Sequence, residues 1–294
     1  MKVVLPKIIF KRSSARAVSV TYEAVLDVSA DSVAFVAGLL ACSTASGPGE
    51  EPAATPAGSR LGPRRCWCCA GSSTTPRMSQ LARDNAISTS TAYEYRDEGI
   101  AVLDTVRPSL HGALLAAKMA GHSHVIVDGT LIHTDRNRRA RPDRRCRSVV
   151  VGQASSPRRQ HPGRVRPRRL TLWTSAVRPG REHDTTAARA DPALLIEIAA
   201  WVADGRPSLA DLGYQGAPDI FTIPFKKPKG QHLTVDQQSF NAVHGALRCL
   251  GERANSLLKT TYKALRRYRG CPWRLGDTVA AALVLLHREN ARTT

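Results

Sequence analysis

A chain of 294 residues with 43 Lys and Arg against 24 Asp and Glu carries a net charge of +19, and its pI is near 10.4. Its natural partner is therefore a polyanion, nucleic acid above all. Seven cysteines, an odd number without a disulfide framework, fit a reducing cytoplasm and argue against a secreted, disulfide-stapled scaffold. Pro6 and Lys7 break the first apolar run, which is no secretory signal, and the apolar residues 33–41 are too few to span a bilayer. A soluble, intracellular protein is expected, with the 42% apolar content sufficient for a core and the length sufficient for two domains.

In chain order, residues 1–20 read as a basic leader. Residues 21–40 place Val25, Val28, Val33, Val36 and Leu40 at helical spacing, which predicts one or two helices. Residues 42–76 lose all periodicity in favour of Gly, Pro, Ser, Cys and Arg. Cys66, Cys68 and Cys69 lie there without a second Cys/His pair at finger spacing, so incidental thiols are the reading rather than zinc. Periodicity returns at Met78. Ser79 opens one short helix, Asn85-Ala86-Ile87 is a turn, and Ser88 caps a second helix running to Leu103. The second helix presents Thr89, Ser90, Thr91, Tyr93 and Arg96, groups suited to phosphates and base edges. This grammar fits a helix-turn-helix, and it also fits an ordinary helical hairpin.

A helix over 109–120 leads to Val125-Ile126-Val127, a β-branched run that reads as a buried strand. Asp128 and Gly129 follow it. Between Arg136 and Arg169 stand thirteen Arg against the single Asp143. Residues 172–177 predict a strand, and Arg178-Pro-Gly-Arg-Glu-His183-Asp184 a loop entering a helix over 185–189. A helix over 192–203 precedes a short strand at 209–212 that bears Asp211, with Gly213 turning the chain away. Lys226, Lys227 and Lys229 sit in a Pro/Gly-rich loop, either a solvated turn or a phosphate-facing one. Residues 235–268 read as helical, and 275–290 as a last apolar helix. On the first of these, Glu252, Asn255, Ser256 and Lys259 share a polar face opposite Leu250, Ala254, Leu257 and Leu258. Two strand-end aspartates and a helical glutamate make a candidate cage of hard oxygens for Mg²⁺. They are expected to converge to metal-bridging distance.

Four motifs in this order, Val-Ile-Val-Asp128-Gly-Thr, Arg-Pro-Gly-Arg-Glu-His183-Asp184, Ala-Asp211-Leu-Gly-Tyr-Gln-Gly and Gly-Glu252-Arg-Ala-Asn-Ser-Leu-Leu-Lys259, resemble the DDE transposases of bacterial insertion sequences, in the branch related to Harbinger elements. The resemblance implies an α/β protein: a ribonuclease-H-like catalytic domain over 121–294 behind a helical helix-turn-helix region over 21–120. It implies that Asp128, Asp211 and Glu252 hold two divalent ions, Mg²⁺ or Mn²⁺, for endonucleolytic cleavage and strand transfer. His183 and Asp184 take a secondary role. Double-stranded DNA is the implied partner, both the terminal repeats and the target. Thr89, Ser90, Tyr93, Arg96, Lys226, Lys227 and Lys259 are the candidate contacts. A homodimer and a bacterial cytoplasmic, nucleoid-associated location go with it. The alternative is a non-catalytic helix-turn-helix protein that binds DNA.

The chain departs from the family over 138–170. An Arg/Pro/Gly/Ala/Ser bias is what a GC-rich gene yields in a shifted frame, and permitted codons for residues 149–170 give Trp-Trp-Ser-Gly-Lys and further family-like text one nucleotide later. Residues 65–76 similarly allow an apolar helix. These features identify a frameshifted, decayed copy as the expected origin. The four prolines at 142, 157, 162 and 167 each remove a ladder donor, so residues 138–169 are expected to be largely disordered or poorly packed and to leave the Asp128 strand under-supported.

Overall fold

The structure is a computed structural model that describes residues 3–4, 25–26, 29–45, 78–134, 145–153, 170–217 and 219–290. The Cys66–Cys69 thiols, almost all of the leader and the arginine-rich residues 135–144 and 154–169 lie outside the described residues. The chain divides into two compact units, Met1–Leu103 and Asp104–Thr294.

In the first unit, β1 (Val3–Val4) pairs antiparallel with β2 (Val25–Leu26). The helix expected from residue 21 thus begins only at α1 (Ala30–Ala45). Ser29 Oγ accepts from the Ser32 amide there and opens the helix. Next come α2 (Met78–Asp84) and α3 (Thr89–Thr105). The turn between them carries Ala86 at a left-handed φ of 53°, and Ser88 Oγ caps α3 by accepting from the Thr91 amide. Leu81, Ala82 and Ala92 are buried together, with Met78, Ile87 and Tyr95 packed against them.

The second unit is a mixed helix and sheet layer. It is built on β3 (Val125–Thr134), β4 (Arg145–Gln153), β5 (Thr171–Thr174) and β7 (Ser208–Leu209), in the order β5-β4-β3-β7. The first three pair antiparallel, and β7 joins β3 in parallel. Two short strands complete the sheet: β6 (Arg178–Pro179) on β4, and β8 (Arg267–Tyr268) parallel to the end of β3. Two expectations are corrected here. Residues 145–153 do not lose order. They form the strand that pairs with β3 from Val125↔Gln153 to His133↔Arg145, because Val149-Val150-Val151 is a β-branched run and all four prolines fall outside it. The long helix ends at Thr261 rather than 268, since a 3₁₀ turn at Lys263–Leu265 hands the chain to β8.

The period of two along β3 sorts its side chains between two layers. Val125 and Val127 face a core made with α4 (Leu110–Met119), α5 (Asp184–Arg189) and α6 (Pro192–Ala203), through Leu114, Ala187, Leu194, Ile198 and Trp201. Ile126 clusters instead with Leu209 and with Leu250 of α7 (Val235–Thr261). Asp128, two residues on, therefore shares the α7 side. Helix α8 (Leu275–Glu289) is buried along most of its length, and its His287 hydrogen-bonds the Thr171 carbonyl of β5 at 2.6 Å.

Trp201 anchors the Val125 layer. It is fully buried, donates Nε1–H to the Pro207 carbonyl at 3.3 Å, and has the Lys118 and Arg206 cations near its ring. Trp201→Ala leaves a cavity and removes one of two hydrogen bonds to the Pro207 carbonyl, which keeps the Val125 amide, and should destabilise the second unit by about 3–5 kcal/mol. Urea denaturation followed by circular dichroism reads this as a lower midpoint.

Candidate active site

Asp128 is not the strand-end residue expected from sequence: β3 continues past Gly129 to Thr134, so it stands in mid-strand, where its partner Val150 on β4 fixes the backbone. Asp211 follows β7 and caps a 3₁₀ turn, its Oδ1 accepting from the Gly213 amide at 2.9 Å. Because β7 lies parallel beside β3 with Ile126 opposite Leu209, the residue two beyond each, Asp128 and Asp211, lies at the same level of the sheet. That placement explains how a separation of 83 positions in sequence closes in space.

Asp184 is the first residue of α5 and lies in its acidic first turn, a position the helix dipole favours. A Cβ built on Gly213 would meet Asp184 Oδ2 at 2.7 Å and Asp211 Oδ1 at 2.8 Å. The two carboxylates thus converge on a glycine that has no side chain to separate them. Sequence reasoning gave Asp184 a secondary place; the fold brings it to the principal pair. His183, the residue before it, caps α5 without a side-chain hydrogen bond and is exposed.

Helix α7 crosses this side of the sheet. A Cβ at Gly251 would stand 2.8 Å from Ile126 Cγ2, so the glycine sets how closely the helix lies on β3. From that contact outward, Arg248, Glu252, Asn255 and Lys259 recur at helical spacing on one face. Asn255 Nδ2 donates to Asp128 Oδ2 at 3.2 Å, and Lys259 Nζ donates to the Leu131 carbonyl at 2.9 Å. Arg248 Nη2 lies 3.3 Å from Asp128 Oδ1 and 3.8 Å from Asp211 Oδ2. Glu252 is exposed, yet close enough for its charge to act on Asp128.

Burial pushes the Asp128 carboxyl above the usual range for an aspartate. The Arg248 guanidinium opposes this, and the charges of Asp211, Asp184 and Glu252 add to it. Lys259 is held below its usual range by burial, with Asp128 pulling it back up. The sign for stability follows from linkage. With the folded-state pKa above the unfolded one, ionising Asp128 weakens the fold, so this contribution is greatest below the ordinary value of 3.8 and is lost as pH rises through the raised value. Asp128→Asn, neutral throughout, should gain on the wild type as pH rises from 3.8 towards neutrality. Urea midpoints taken across that range check it; a difference constant with pH would contradict it.

The other residues singled out from sequence lie in several places. Thr89 and Ser90 are exposed at the start of α3. Tyr93 is 43% exposed, but Arg96 is engaged already: its guanidinium binds Asp97 and lies 4.8 Å from the Tyr93 ring centroid. Lys226 and Lys227 are exposed in a loop that Asn241 of α7 anchors by bonding both the amide and the carbonyl of Phe225. Lys259 turns to β3, where its Nζ bonds the Leu131 carbonyl within reach of the Asp128 charge. Arg248 was missed. Its signal was available, since it stands four residues before Glu252 on the same helical face, but periodicity does not say which cation turns inward.

The donors suit a hard divalent ion, being carboxylate oxygens that repel one another. Among the described residues no three His, Cys, Asp or Glu side chains are gathered closely enough to hold one ion. The space between the two aspartates is bridged by Arg248 instead.

Residues 161–287 match the family model of the DDE superfamily endonucleases. The matched stretch carries Asp184, Asp211, Arg248, Glu252, Asn255 and Lys259, while Asp128 lies upstream of it. Among curated proteins and solved structures, none matches the chain. The match supports a transposase-like family, a nuclease-like function and a DNA substrate, and a family that typically uses divalent metals. The mixed helix and sheet unit is compatible with an α/β nuclease domain of that kind. Among the described residues, no helix is long and apolar enough to cross a membrane.

Proposed function

We propose that this chain is a DDE-type endonuclease and strand-transferase of an insertion sequence, related to the Harbinger branch, with a ribonuclease-H-like catalytic domain. The observation that carries the reading is that the half-buried Asp128 and Asp211 share one guanidinium nitrogen of Arg248, while Asp184 meets Asp211 at Gly213. Like charges gathered on one side of the sheet cost stability, and a bound cation offsets that cost. Asp128 and Asp211, with Glu252 and Asp184 beside them, are the residues that would hold Mg²⁺ or Mn²⁺. When bound, such ions supply an activated oxygen nucleophile and neutralise the leaving oxygen at phosphorus.

The chain's own groups have distinct parts in this reading. Asn255 orients Asp128 by holding its Oδ2. Lys259 ties α7 to β3 through Leu131, so Glu252 is carried at a fixed height above the sheet. Lys226 and Lys227, exposed on an anchored loop, face the phosphates of double-stranded DNA. Thr89, Ser90 and Tyr93 on α3 are the recognition residues of a helix-turn-helix reading terminal repeats, and Arg96 joins them by exchanging Asp97 for a phosphate. His183 stays secondary. A homodimer bringing two element ends together, and a cytoplasmic site of action on the nucleoid, follow from the same reading.

The copy is proposed to be decayed over residues 42–76 and 138–170. The shift to Arg, Pro, Gly, Ala and Ser in those stretches supports this. One observation favours the non-catalytic alternative, a protein that binds DNA without cutting it: Arg248 sets a cation of the chain itself between the principal pair. Incubation of purified chain with supercoiled DNA carrying the element's ends separates the two. Nicking that requires Mg²⁺ or Mn²⁺ and stops with a chelator supports the enzyme; binding without nicking in either ion supports the alternative.

A further inference from the structure

The guanidinium of Arg248 lies where an ion shared by Asp128 and Asp211 would have to sit. One nitrogen, Nη2, approaches both carboxylates, at 3.3 Å and 3.8 Å. The facing oxygens, Asp128 Oδ1 and Asp211 Oδ2, are already turned towards a cation. The other oxygens are engaged elsewhere, Asp128 Oδ2 by Asn255 and Asp211 Oδ1 by the Gly213 amide. We infer that Arg248 is the resident counter-ion of this cluster, and that a divalent ion binds Asp128 and Asp211 only by displacing it. This rests on the metal-dependent reading proposed above and adds to it a competitor encoded in the chain.

Three features make the contact displaceable. A strong arginine–carboxylate pair uses two parallel donors at about 2.7–2.9 Å, whereas Arg248 spreads one nitrogen over two carboxylates at longer range. Its Nε is buried and has no hydrogen-bond partner among the described residues, so the guanidinium is not fully satisfied where it lies. The Asn255 carboxamide, 7% exposed, likewise has its Oδ1 buried without a partner, leaving an unused oxygen beside the same aspartate. The helix is tied to β3 on the far side of Gly251 by Asn255 on Asp128 and Lys259 on the Leu131 carbonyl. Gly251 sets how closely it lies on Ile126 one turn along, and with these bonds kept, exchange is a swing of the Arg248 side chain while its backbone stays. Charge points the same way: four carboxylates gather around two cations, Arg248 and Lys259, and a divalent ion exchanged for Arg248 leaves the cluster closer to neutral.

The test is calorimetric titration of MnCl₂ into the chelator-treated full chain, comparing wild type with Arg248→Gln, Arg248→Lys and Asp128→Asn. Arg248→Gln should bind Mn²⁺ about tenfold more tightly than wild type, the size of coupling expected when a competing cation is removed. Arg248→Lys should stay near wild type, and Asp128→Asn should lose the site in either background. A second readout does not depend on Arg248→Gln folding. In wild type, titration with Mg²⁺ should shift the Arg248 Nε–H resonance, which is identified by its absence in Arg248→Lys. Affinity in Arg248→Gln equal to or below wild type, or a resonance unmoved at saturation, overturns the competition; if Asp128→Asn still abolishes binding, the metal reading survives that result. Absence of Mn²⁺ binding in every variant overturns both together.

Discussion

Asp128→Asn is expected to lower metal-dependent nicking on the order of 10³-fold or more, while retention of DNA on a filter stays as in wild type. Asparagine keeps the shape of the side chain and can still meet Asn255, but removes the charge around which Asp184, Asp211, Arg248 and Glu252 are arranged. The fold should tolerate the change, because the buried charge weakens it at neutral pH. Activity and folding therefore separate in this one variant. Joint loss of cleavage and binding would show instead that Asp128 holds the second unit together.

Gly251→Val should destabilise the second unit by about 1–3 kcal/mol through overpacking and abolish nicking along with it. The new Cβ would lie 2.8 Å from Cγ2 and 3.3 Å from Cβ of Ile126. Ile126 is fully buried and β-branched, so it has little rotamer freedom with which to give way. The helix must lift, and it carries Arg248, Glu252, Asn255 and Lys259 with it. Gly245→Ala, on the same helix, is the control. A Cβ there meets nothing within 4 Å, so the substitution should stabilise by about 0.5–1 kcal/mol through helix propensity alone. Thermal melts followed at 222 nm rank the three proteins. A Gly251→Val chain melting with wild type would remove the claim that this contact sets the height of α7.

The same contact marks the limit of what the sequence could disclose. Val125-Ile126-Val127 announces a buried strand, and the Leu250, Ala254 and Leu258 spacing announces a helix. Both elements are found, with α6 at its expected bounds Pro192–Ala203. The placing of Ile126 against Gly251 is a tertiary fact that no local pattern carries. Strand β4 was hidden for a different reason: the dense arginines around it suggested a segment unable to pack, while Val149-Val150-Val151 pairs through its backbone regardless. Arg248 was illegible because a helical face containing an arginine and a glutamate reads as a solvated stripe until the sheet beneath it supplies two aspartates. Asp184 was legible as part of a motif, but its distance from Asp211 depends on Gly213 standing between them.

The central claim is that the cluster around Asp128 is where a divalent ion binds. Iron-mediated affinity cleavage reads it directly. Fe²⁺ replaces Mg²⁺ in the full chain, ascorbate and peroxide generate hydroxyl radicals at the bound metal, and mass spectrometry locates the backbone breaks. Breaks clustered near residues 128, 211 and 252, suppressed by excess Mg²⁺ and lost in Asp128→Asn, are the predicted result. Breaks confined to other parts of the chain, or unchanged by Asp128→Asn, would contradict it.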